Sequence, residues 1–127
     1  MQTIRGLVLP VALGFCAVAS ASDLTIHLKG TQPLSRKTVQ YQCDAKGAGM
    51  GLPAGIFAVE YINGDGNSLV VVPVHDSSLI LANVISGSGA RYAAGPYIWW
   101  EAQGSVTFYS DSIAGKTQSA CHPVIAH

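Results

Sequence analysis

The sequence predicts an all-β domain: an antiparallel barrel or sandwich of seven or eight short strands carrying one disulfide. Three observations predict it. Short alternating runs rich in Val, Ile, Thr and Tyr recur at even spacing, bounded by Gly, Asn, Asp and Ser. After the first 21 residues no window of ten or more shows the apolar period of a helix. Charged residues make up only 11% of the chain, too few to guard exposed strand edges. That favours a closed barrel, which has no edges, over a sandwich.

The N-terminus is a separate matter. Arg5 supplies a positive start, Gly6 to Val18 is apolar with Pro10 inside it, and Ala19-Ser20-Ala21 is a small-x-small cleavage site. This is the pattern of a cleaved secretory signal peptide over 1–21. The apolar run is too short for a good membrane span. Cys16 invites a lipoprotein reading, but Phe15 stands where the lipidation box needs a small residue. The expected product is therefore a periplasmic domain of residues 22–127, beginning at Ser22, without a membrane anchor. With Arg5 gone, six Lys and Arg face seven Asp and Glu, a balance that offers nucleic acid nothing.

Cleavage also settles the odd cysteine. Cys16 leaves, and Cys43 and Cys121 remain to pair in an oxidising compartment. A metal site over Cys121-His122 lacks further ligands at usable spacing, so no metal or cofactor is expected.

Taken in order, residues 22–36 read as an edge strand or a loosely held arm. Thr38–Cys43 alternates, with Val39, Tyr41 and Cys43 on one face. Ala45 to Gly55 holds four glycines and a proline and reads as loop. Ile56–Ile62 and Ser68–Val74 form a hairpin about Asn63-Gly64-Asp65-Gly66-Asn67. That turn lacks the later acidic ligands of a calcium loop. His75 to Ser78 is a turn and Leu79–Val84 a strand. Tyr97–Glu101 and Ser105–Tyr109 flank Gln103-Gly104. Ser110 to Gly115 is a turn, and Lys116–Cys121 the last strand.

Between the fourth and fifth of these strands lies Ser86-Gly87-Ser88-Gly89-Ala90-Arg91-Tyr92. It reads either as a Gly-rich hairpin turn or as a binding loop presenting hydroxyls and backbone. Trp99 and Trp100 must face opposite sides of one strand, so one belongs to the core and the other is either a platform beside the loop or a second packing contact. No catalytic constellation is evident. The four histidines sit in turns or terminal segments, and no serine lies in a nucleophile elbow. Glu60 and Glu101 are the only glutamates, which gives little support for a paired-carboxylate site.

Together, Tyr41-Gln42-Cys43, the hairpin from Tyr61 to Leu69, Ser88-Gly89-Ala90-Arg91-Tyr92, the Trp99-Trp100 pair and the final cysteine resemble the periplasmic and membrane-bound inhibitors of c-type lysozyme. The resemblance spans about residues 38–122. It implies a small β-barrel, no enzymatic activity, and c-type lysozyme, a basic enzyme with an acidic cleft, as partner. It also implies a lysozyme-binding set of Ser86, Ser88, Gly89, Arg91, Tyr92 and Gln103, with the Ser88 loop entering the cleft. A lysine of the family's Trp-x-Lys-Gly motif does not carry over. This chain reads Trp100-Glu101-Ala102-Gln103-Gly104, placing neutral Gln103 where the lysine is expected and adding Glu101, a repulsive charge if it faces an acidic cleft. The rival readings are a small-ligand carrier, an envelope interaction protein, and a hydrolase using His75-Asp76.

Overall fold

The computed structural model describes residues 6–15, 21–111 and 117–125. Arg5, Cys16, Ala19, Ser20, Lys116, His127 and most of the turn expected at 110–115 lie outside the described residues. Residues 21–34 carry no strand and are exposed, so of the two expectations for 22–36 the arm holds up to Ser35.

Eight strands follow in an up-and-down order: β1 (Ser35–Cys43), β2 (Ile56–Gly64), β3 (Asn67–Val74), β4 (Ser77–Val84), β5 (Ala90–Ala94), β6 (Tyr97–Ala102), β7 (Ser105–Ser110) and β8 (Gln118–Pro123). Each pairs antiparallel with the next, and β8 returns to β1, closing the barrel. No unpaired edge is left, as the low charge content requires.

Period-two alternation fixes what lines the interior. Val39, Tyr41 and Cys43 turn inward on β1, Phe57, Val59 and Tyr61 on β2, and Val70, Val72 and Val74 on β3. Trp99, Phe108 and Leu81 are fully buried at the centre. The Trp99 ring meets Tyr41 edge-on at 5.2 Å between centroids, and lies 6.5 Å from Phe57 and 6.2 Å from Phe108. Burying an indole removes on the order of 200 Å² from water. At ~25 cal/mol per Å² that is about 5 kcal/mol. Its N–H is not left orphaned, since it donates to the Tyr61 hydroxyl at 3.0 Å.

Short turns join the hairpins. Asp65, His75, Asp76 and Gln103 all take positive φ, at 50°, 50°, 60° and 55°. These are the turn geometries whose twist matches that of the flanking strands.

Several expectations need correcting. The run 45–55 is not all loop, because Ala45–Gly49 forms a short helix, α1. Asp44 caps it, accepting from the Lys46 N–H at 3.1 Å, and also takes bonds from Ser119 Oγ at 2.7 Å and the Ala120 N–H at 3.1 Å. One helical turn is too short to print a period in sequence, and the four glycines hid it. Ala90–Ala94 is strand, not loop, because β4 and β6 both pair with it. The last strand runs to Pro123, so His122 lies in a strand rather than a tail.

The Cys43–Cys121 disulfide is formed. Its Cα atoms are 4.0 Å apart, closer than the expected range of about 4.4–6.8 Å. The two residues stand directly opposite in the β1–β8 register, which brings the backbones nearer than a bridge between separate elements does. The bond spans 78 residues and seals the barrel seam. Replacing both cysteines by Ala should cost about 2–5 kcal/mol in urea unfolding. An unchanged denaturation midpoint would show that strand pairing alone holds the seam.

Candidate functional site

The two ends of the barrel differ. At one end α1 and the residues after it fold across the opening, burying Met50 and Leu52 in the core. The His75 N–H donates to the Gly51 carbonyl at 2.8 Å and fastens this plug to the β3–β4 turn. The opposite end collects the Asp65-Gly66 turn, the 85–89 connection and the Gln103-Gly104 turn, and stays open.

The 85–89 connection folds down onto the outer face of β5 and β6. The Ser88 carbonyl accepts two hydrogen bonds, from Ser86 Oγ at 2.5 Å and from Trp100 Nε1 at 3.0 Å. Gly89 has φ of 65°, and a Cβ there would collide with the Glu101 carbonyl oxygen. No other residue type fits this crossing. The Ser88 side chain is exposed, and its hydroxyl has no hydrogen-bond partner among the described residues. The loop is thus fixed through its backbone and free at its side chain.

Beneath it, Ile85, Ser86, Gly87, Arg91, Trp100 and Tyr109 surround a shallow concavity of about 300 Å³ that Ser88 completes. Arg91 is half-buried here. Its Nη2 donates to the Tyr109 hydroxyl at 2.8 Å, and the guanidinium sits 5.9 Å from the centre of that ring. Its Nε is buried without a partner among the described residues. Trp100 is therefore the loop's brace and Trp99 the core residue, the division that alternation required. Tyr109 was not anticipated. Its outward position on β7 was readable, but its partnership with Arg91 depends on the register of β5, β6 and β7.

The expected site residues thus separate into three groups. Ser86, Ser88, Gly89 and Arg91 come together in one patch. Gln103 is exposed at the neighbouring turn of the same rim. Tyr92 lies inside the barrel, 5% exposed, with its hydroxyl 3.3 Å from Ser68 Oγ and its ring against Tyr61. Alternation along β5 sends Arg91 and Tyr92 to opposite sides, so Tyr92 positions the strand from within and does not share the patch with Arg91.

Glu60 and Glu101 also lie on opposite sides of the wall. Glu60 faces out and pairs with Arg36 at 2.6 Å. Glu101 shares the inward side of β6 with Trp99 and lines the open mouth. The paired-carboxylate arrangement does not form. The His75 ring stacks over Gly51 instead of reaching a serine. Among the described residues no three His, Cys, Asp or Glu gather where a metal ion could be held.

The matching family model, described as membrane-bound lysozyme-inhibitor of c-type lysozyme, covers residues 41–115. A relative so named from Pseudomonas aeruginosa is 39% identical over 113 residues, 84% of this chain and 83% of the relative. One from Cupriavidus necator is 31% identical over 100 residues, covering 79% and 73%.

The chain belongs to the family of membrane-bound inhibitors of c-type lysozyme.

The crystal structure of Pseudomonas aeruginosa MliC in complex with hen egg white lysozyme superposes with a TM-score of 0.65. It shares 39% identity and covers 83% of this chain and 99% of that one. The span matched to the family, 41–115, contains the loop, the brace and the Gln103 turn.

Behind the rim a hydrogen-bonded chain runs into the core of this family member. Trp99 Nε1 donates to the Tyr61 hydroxyl, which lies 2.8 Å from the Tyr41 hydroxyl. Burial holds the Tyr61 phenol well above its ordinary value of 10.0, with the Tyr41 hydrogen bond adding to it. Burial also raises Tyr41, against the Tyr61 hydrogen bond, and Glu101 pushes both the same way. A phenol raised on folding keeps its stabilising effect below the unfolded value and loses it as pH climbs past that value. These two phenols should therefore leave stability unchanged below pH 10 and lower it progressively above. Tyrosine absorbance followed in an alkaline titration should show Tyr61 ionising only with unfolding and Tyr41 ionising later than a free tyrosine. Five tyrosines ionising together in the folded state, near pH 10, would contradict this.

Proposed function

We propose that this protein inhibits c-type lysozyme by seating the 86–89 loop in the acidic cleft of the enzyme. The observation that carries the reading is the Ser88 geometry: a carbonyl held by two donors beneath a hydroxyl with no partner among the described residues. A loop already fixed in shape loses little entropy when it docks. The free hydroxyl is a donor, and a catalytic carboxylate is its natural acceptor. Membership of the inhibitor family and the lysozyme complex of the Pseudomonas aeruginosa relative support lysozyme as the partner.

The roles then divide. Ser88 contacts the enzyme, Ser86 and Gly89 hold the loop in shape, and Gln103 contributes neutral hydrogen bonds from the adjacent turn. Arg91, tied to Tyr109, braces the patch, and Tyr92 sets β5 from inside the barrel. The protein acts by occlusion and performs no chemistry itself. A small-ligand carrier is less well supported, because the barrel centre is filled by Trp99, Phe108 and Leu81. Export through cleavage after Ala21 and a soluble periplasmic product remain part of this proposal, supported by Phe15 preceding Cys16. Sequencing the N-terminus of the exported protein should give Ser22, and a fatty-acylated product would exclude it.

Inhibition of hen egg white lysozyme in a cell-wall clearing assay tests the reading. Ser88→Ala should weaken it roughly ten- to a hundredfold, the worth of one hydrogen bond to a charged group. Thermal unfolding should be unchanged, since the side chain is exposed and its hydroxyl makes no hydrogen bond among the described residues. Gln103→Lys in the same assay should strengthen inhibition and make it more salt-sensitive, because a new charge pair is screened by salt. Failure of the wild-type protein to inhibit would end the reading, and equal inhibition by Ser88→Ala would remove Ser88 as the contact.

A further inference from the structure

The open mouth of the barrel is the feature that the loop does not account for. It encloses about 490 Å³, and its walls include Val39, Tyr41, Tyr61, Ala90, Tyr92 and Glu101. Glu101 is half-buried, and no ion pair reaches it among the described residues, where Arg36–Glu60 is the salt bridge formed. Lys37, the mouth's own cation, is exposed on the outer rung of β1 and does not close on it. A carboxylate set into a half-enclosed polar cup, backed by phenol oxygens, is a receptor for a cation. The aliphatic wall of Val39 and Ala90 suits the stem of a long side chain whose charged head goes deeper.

The mouth and the loop share one rim. Ala90, two residues after Ser88, pairs directly with Glu101, and Gly89 crosses the Glu101 backbone. A protein seated on the loop therefore reaches the edge of the mouth. We infer that the mouth receives a lysine or arginine side chain of the docked lysozyme, with Glu101 as its counter-charge. This rests on the lysozyme reading above and adds to it a second contact of opposite polarity. The loop offers donors to acidic groups in the cleft, and the mouth offers an acceptor to the basic surface around it. Glu101, a repulsive charge if it faced the cleft, becomes an attractive one because alternation turns it inward.

Titration calorimetry with hen egg white lysozyme tests this. Glu101→Gln should weaken binding about tenfold at low salt and less at high salt, the behaviour of a lost charge pair. Lys37→Met should bind at least as tightly as wild type. In the wild-type protein, the Glu101 carboxyl carbon resonance should move when lysozyme binds, a readout that needs no variant to fold. Unchanged affinity of Glu101→Gln at low salt, an unmoved carboxyl resonance, or a matching loss in Lys37→Met would overturn the inference while leaving the loop reading intact. Absence of any binding by wild type would sink both.

Discussion

The rim depends on the seam between β8 and β1. An eight-stranded barrel is just wide enough to be filled by side chains, and it holds its shape only while the circle is closed. The closing ladder is short, three residue pairs, and one of them is the Cys43–Cys121 disulfide. Asp44, next to that cysteine, bonds to Ser119 and Ala120 on β8 and caps α1 with the same carboxylate. Covalent closure, strand closure and the plug over one end thus converge on adjacent residues. With that end shut, the opposite end is the one left to carry loops and an opening.

The core then transmits order to the rim. Trp99 packs among Tyr41, Phe57 and Phe108 and fixes β6 in the wall. One residue on, Trp100 points outward and grips the Ser88 carbonyl. Two residues on, Glu101 turns inward to the mouth. A single strand therefore supplies the centre of the core, the brace of the loop and the charge of the opening. Rigid placement of a Gly/Ser segment is unusual for such a composition, and here it comes from a strand held on both sides by its neighbours.

The sequence was informative wherever alternation or local turn chemistry decided the outcome. The inward face of β1, the Asp65-Gly66 and Gln103-Gly104 turns, the split between Trp99 and Trp100, and the cysteine pair were all legible. It was less informative where pairing decided. Ala90–Ala94 carries weak local strand character and follows two glycines, so only β4 and β6 on either side make it a strand. The helix α1 is one turn, held by a cap whose other partners come from β8.

What the chain by itself determined is the all-β class, the inward face of the first strand, the cysteine pairing and the family to which the motif order points. These follow from contacts between near neighbours, or from residue types that admit few alternatives. What only the tertiary structure decided is which side of the wall each rim residue occupies relative to its neighbours on other strands. Arg91 meets Tyr109, Tyr92 retreats inside, and Glu101 faces the mouth because three strands come into one register. Register is set by the whole barrel closing on itself, and a shift of one residue would exchange every inward side chain for an outward one.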